Sequence, residues 1–208
     1  MVVHESIMNR SLVLLAALLV ASCASTPPQN TTNICSMFEE RRSWYKAAVK
    51  TEKRWNTPVH VSMAIIQQES SFQSRAKPER TRLLGFIPWR RPSSAFGYAQ
   101  VLDGTWTEYK EEAGNWGARR TNFADAMDFV GWYTNNSTRV NGIARNDAYN
   151  HYLAYHEGNG GFARRSYNNN PQLIDISRRV QANANLYQRQ YAQCEKQLGR
   201  NWFMRLFF

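Results

Sequence analysis

The chain has 208 residues, enough for one domain with a real core and too few for two large ones. Its formal net charge is +10, so its surface attracts polyanions, yet no run of Lys and Arg is longer than two, and charge alone names no partner. Removing residues 1–22 deletes Arg10 and Glu5, one charge of each sign, and leaves that balance unchanged.

Residues 12–20 form an apolar block, preceded by Asn9-Arg10 and followed by Ala21-Ser22-Cys23-Ala24. A charged start, a short hydrophobic stretch and a small-residue exit predict a signal peptide over residues 1–22. The block is too short for an ordinary membrane-spanning helix. The segment Leu19-Val20-Ala21-Ser22-Cys23 resembles the bacterial lipobox, which implies that Cys23 is lipidated and opens the mature protein. An ordinary signal peptide cut nearby, or an uncleaved anchor, is the competing reading. Acyl chains contribute about 0.8 kcal/mol per buried CH₂, so several of them hold a protein firmly on a membrane. Ala24, rather than Asp, after the cysteine favours the periplasmic face of the outer membrane under the sorting preference of enteric bacteria. In that compartment the anionic partners are peptidoglycan carboxylates and teichoic or lipid phosphates, and not nucleic acid. Residues 24–33, ASTPPQNTTN, are polar with two prolines, so residues 23–34 are expected to form the lipidated cysteine and a flexible tether.

The folded domain is expected over residues 35–200, mostly helical and monomeric, followed by an aromatic tail, NWFMRLFF, at 201–208. Cys35, Phe38, Tyr45 and Val49 begin a helical pattern. Another carries the stripe Leu173, Ile176, Val180, Ala184, Tyr187, Tyr191, Cys194, Leu198. If these terminal helices lie antiparallel, Cys35 and Cys194 meet and form a disulfide, as an oxidising compartment allows; two buried free thiols are the alternative. Between them, Thr57-Pro58 predicts an N-cap and first helical residue for a helix bearing Val59, Met63 and Ile66. Residues 75–101 hold three prolines and short apolar pieces that suit loops or a small hairpin. In LLGFIPWRR, Leu84, Phe86 and Trp89 are expected to complete the core; overhanging the substrate or touching lipid is the other option. Asp103-Gly104-Thr105 opens a helix with Trp106 and Tyr109, closed by Gly114, and Asp103 is expected to cap it. Phe123 to Tyr133 gives a helix ending at Asn135-Asn136. Tyr149 to His156 gives one stopping at Gly158.

The four histidines, His4, His60, His151 and His156, lack metal-ligand spacing, and neither a G-x-S-x-G elbow nor a phosphate-cradling glycine loop occurs. No metal and no cofactor is expected. What remains is acids with aromatics. Glu69, in QQESSF, falls about three turns into the helix begun at Pro58. The negative end of the helix dipole and apolar surroundings both oppose its ionisation and raise its pKa. A carboxyl so tuned suits a general acid that must deliver a proton to a glycosidic oxygen near neutral pH. A solvated surface glutamate is the plain alternative.

Phe96-Gly97-Tyr98-Ala99-Gln100 follows Glu69 by about 30 residues, and Ala154-Tyr155-His156-Glu157-Gly158 by about 85. In this order and spacing, residues 55–165 resemble the soluble lytic transglycosylase domain of the lysozyme-like superfamily. That family's pattern is Glu-Ser, then Gly-Leu-Met-Gln, then Ala-Tyr-Asn-Ala-Gly. The resemblance implies an α+β, predominantly helical lysozyme-like fold with a small hairpin region and a glycan-binding groove. It also implies cleavage of the MurNAc-GlcNAc link in peptidoglycan strands without water, leaving a 1,6-anhydro ring. Glu69 would be the sole catalytic acid and base, with Ser70 supporting its turn, Gln100 bonding a sugar substituent and Tyr155 holding Glu69. Tyr98 and Ala99, replacing Leu-Met, would flank the groove. His156 and Glu157 replace Asn-Ala; the imidazole is either a titrating neighbour of the site or an idle helix end. Ordinary glycoside hydrolysis uses a second carboxylate across the bond. Asp103 and Glu157 are the nearest candidates, Glu157 being more simply a solvated helix end. The rivals are a muramidase of the same fold and a non-catalytic peptidoglycan-binding lipoprotein.

Overall fold

The computed structural model describes residues 26–83, 86–88 and 90–199. The signal peptide, Cys23, Leu84, Trp89 and the aromatic tail lie outside the described residues.

Seven α-helices are present among the described residues: α1 (Ile34–Glu40), α2 (Arg42–Trp55), α3 (Val59–Ser70), α4 (Asp103–Glu112), α5 (Phe123–Asn141), α6 (Ala148–Ala163) and α7 (Pro171–Gly199). The strands β1 (Arg82–Leu83) and β2 (Ile87–Pro88) pair antiparallel, with Leu83 opposite Ile87. The architecture is the expected one, mostly helical with a small hairpin, as in a lysozyme-like domain. None of the described helices is long and apolar enough to cross a membrane.

α3 is the central helix. Every residue from Val59 to Ile66 is buried, because the sequence VHVSMAII is apolar around nearly its whole circumference. It packs against α2, α5, α6 and α7. α7 buries one stripe, Leu173, Ser177, Val180, Ala184, Tyr187, Tyr191, Cys194 and Leu198, and lies over α1, α3 and α6. Cys35 and Cys194 are joined in a disulfide, 159 residues apart in sequence.

Several expected boundaries move, each for a local reason. The single helix expected from Cys35 to Val49 is two, broken at Arg41 (φ −132°, ψ 77°). Thr57 is not the cap of α3, because its hydroxyl pairs with Thr134 at 2.8 Å; the carboxylate of Glu52 accepts from Val59 N instead. Asp103 does not cap α4 with its side chain but forms an ion pair with Arg120 at 2.7 Å. α5 continues past Asn135-Asn136 to Gly142 (φ 68°), its Ser137 buried and bonded back to Tyr133 O. α6 breaks at Gly158 (φ 74°, ψ 156°) and then resumes rather than stopping there. Phe86 is 72% exposed and does not complete the core.

The expected tether is also corrected. Arg41 donates to Thr26 O, Glu40 accepts from Gln29 N, and Gln67 and Tyr187 both donate to Thr31 O. Gln190 donates to Thr32 O, and Pro28 is buried. Residues 26–33 are therefore strapped to the domain: Arg41 between α1 and α2, Gln67 of α3 and Tyr187 and Gln190 of α7 donate to their backbone carbonyls, which in a free tether would bond water, and Glu40 of α1 accepts from a backbone N–H.

Candidate active site

Glu69 sits in the last turn of α3. Beyond it, Ser71 (φ 48°) and Phe72 (φ 61°) both adopt the left-handed conformation, which costs free energy in non-glycine residues. Burial offsets that cost, since Phe72 is fully enclosed and its ring lies 5.6 Å from that of Trp44. Ser70, also buried, donates its hydroxyl to Ile66 O at 3.3 Å. That bond lies within the last turn of α3. The turn leaves Glu69 partly open on one side while its carboxyl is closely surrounded. Loss of hydration pushes that carboxyl up to about 7, opposed by a hydrogen bond from the Tyr152 hydroxyl. Glu69 is thus a half-buried residue with a desolvated carboxyl, in contrast to a plain solvated glutamate.

Tyr152 and Tyr155 both come from α6, three residues apart and thus on one face. Tyr155, expected beside Glu69, is in its electrostatic neighbourhood, and its hydroxyl donates to Ala99 O at 2.6 Å. It fixes the Gly97–Gln100 turn against α6. Tyr152 is the direct hydrogen-bond partner of Glu69 and was not singled out from the sequence. The i, i+3 relation to Tyr155 was the available signal.

Gly97 makes the turn possible. Its φ is +82°, and a Cβ there would fall 2.2 Å from Arg120 O. Gln100 (φ 45°) donates its amide to Ala76 O and Gly97 O, both at 2.9 Å, so its carbonyl oxygen is what it has left to offer a sugar. Tyr98 and Ala99 are each 1% exposed. Tyr98 packs edge-on against Trp44 and Phe123, so both residues are core and do not flank a sugar as expected.

A hollow of about 280 Å³ lies beside this turn, lined by Gln100, Thr105, Tyr133, Tyr155, His156 and Glu157 among others. His156 is exposed, with Nδ1 3.2 Å from Glu157 Oε1. Glu157 also accepts from Ser166, which holds its carboxyl below the ordinary value. Two carboxyls from neighbouring motifs therefore differ: burial raises Glu69 to about 7, so that it exchanges its proton near neutral pH, while hydrogen bonds hold Glu157 below the ordinary value. Asp103, mostly exposed and paired with Arg120, does not line the hollow.

A helical, lysozyme-like domain with one buried acid at the end of its central helix defines a class. Within it, the chain matches the family described as transglycosylase SLT domain over residues 11–194 and belongs to that family. The match extends beyond the 55–165 carrying the three motifs, and family membership supports transglycosylase-type action on peptidoglycan. No curated protein matches the chain.

Proposed function

We propose that the protein is a peptidoglycan lytic transglycosylase that cleaves the MurNAc-GlcNAc β-1,4 bond and leaves 1,6-anhydroMurNAc ends. The observation that carries this reading is Glu69, a carboxyl raised to about 7 by burial and positioned by Tyr152. As an acid it protonates the leaving oxygen, and the glycosidic C–O bond breaks. As a base it then removes the proton of the MurNAc C6 hydroxyl, whose oxygen bonds C1 and closes the ring. One carboxyl suffices for both steps, because the nucleophile belongs to the substrate. Gln100 accepts from the sugar, and Tyr155 holds the turn that carries Gln100.

A hydrolytic second reading has one observation in its favour, the ionised Glu157 lining the same hollow as Gln100 and Tyr155. Such a carboxylate suits the activation of water. The anchor reading follows from the sequence: residues 1–22 are removed, Cys23 is acylated, and the domain acts from the periplasmic face of the outer membrane as a monomer.

Glu69→Gln tests the site, since it keeps shape and removes the proton. Cleavage of purified peptidoglycan is expected to fall by at least about a thousandfold, with an unchanged circular-dichroism spectrum. A fully active variant removes Glu69 from the mechanism.

A further inference from the structure

We propose that a second pocket, between the starts of α2 and α5 and the turn after α3, binds the phosphate of an anionic phospholipid headgroup and seats the domain on its membrane. This rests on the anchor at Cys23 proposed above. The pocket encloses about 450 Å³, and its lining includes Arg41, Arg75, Ser43, Ser74 and Thr121 beside the Trp44 ring. Among the described residues, no carboxylate lines it. The guanidinium of Arg75, with that of Arg41 whose Nη2 also lies 3.4 Å from Glu40 Oε1 outside the lining, and the hydroxyls match the charge and the acceptor oxygens of a phosphate.

Position favours a lipid over a free anion. Arg41, in the pocket wall, donates Nη2 to Thr26 O at 2.6 Å and stacks over Trp44 at 5.1 Å. The strap therefore reaches the domain at the pocket itself. Only Ala24 and Ser25 separate Thr26 from Cys23, and three residue steps span at most about 11 Å. The headgroup layer on each side of a bilayer is roughly 5–8 Å thick. An acylated Cys23 thus keeps Arg41 within reach of the headgroups whatever path the linker takes. A tether freely extended to residue 34 would impose no such limit.

The test is hydrogen exchange on protein purified with its own anchor, its intact mass reporting whether Cys23 is acylated. It is placed in vesicles of phosphatidylcholine alone or mixed with phosphatidylglycerol. Amides of residues 41–44, 74–76 and 121–124 are expected to exchange about fivefold more slowly in the mixed vesicles, the effect of one arginine at an anionic surface. Arg75→Gln is expected to abolish that difference. Lys196→Gln, which removes the same charge from an exposed position on α7, is expected to preserve it. Equal exchange in both vesicles, or equal loss in both variants, overturns the headgroup site. Equal protection by dissolved inorganic phosphate overturns it in favour of a free anion, and equal protection by soluble muropeptides in favour of a wall carboxylate. An unmodified Cys23 sinks the anchor reading alone, because the same protein added to the vesicles still reads the pocket through Arg75→Gln.

Discussion

In the proposed mechanism, Glu69 and Tyr152 divide the work at the reacting centre. Glu69 donates only while protonated, and its pKa is about 7, so kcat/KM falls as pH rises through that value. The Tyr152 hydroxyl stabilises the ionised form and holds the pKa down. Tyr152→Phe removes that donor, and the alkaline limb of the pH–rate profile is expected to move upward by up to about one unit, the worth of one such hydrogen bond. A limb that stays in place, or moves down, contradicts the pairing. Glu69 was legible because an acid at the end of an apolar helix conflicts with both the dipole and the core. Tyr152 was not, since a tyrosine at a core-facing helical position reads as packing until its partner is known. Gln100 and Tyr98 show the limit of motif spacing: it located the turn but did not say which side chains face the sugar.

At the scale of elements, one carboxylate ties three helices together. Asp128 of α5 accepts from Arg54 and Trp55 of α2, both at 2.9 Å, and from the Tyr109 hydroxyl of α4 at 2.8 Å. Asp128→Ala leaves three donors without their acceptor, two of them in the partly buried seam. It is expected to cost about 3 kcal/mol in denaturant unfolding, with the Glu69 site retained at low temperature. A loss under about 1 kcal/mol contradicts the hub. The helices themselves were legible from their apolar periodicity, as α3 and α7 show. Their ends were less so, because tertiary partners overrode local signals. Thr57 had the chemistry of a cap, but Thr134 took its hydroxyl and Glu52 supplied the acceptor. Asp103 likewise gave its charge to Arg120 rather than to its own helix.

Across the whole molecule, the Cys35–Cys194 bond closes a loop spanning 159 residues, so its main effect is on the unfolded chain. Reduction is expected to lower unfolding free energy by roughly 4 kcal/mol, read by denaturant titration with and without thiol; a change below about 1 kcal/mol contradicts that role. The spacing of two cysteines on two helical stripes made this pairing legible. The strap over residues 26–33 was not legible, because its composition is that of a linker, and what fixes it is the Glu40 acceptor of α1 with donors from Arg41, α3 and α7. The fate of the glycan bond separates a transglycosylase from a hydrolase. Mass spectrometry of the products from purified peptidoglycan, with Glu69→Gln alongside, reads it most directly. Anhydro-muropeptides are expected from the native protein alone. Products about 18 Da heavier, with reducing ends, contradict the transglycosylase reading and assign the chemistry to water and Glu157.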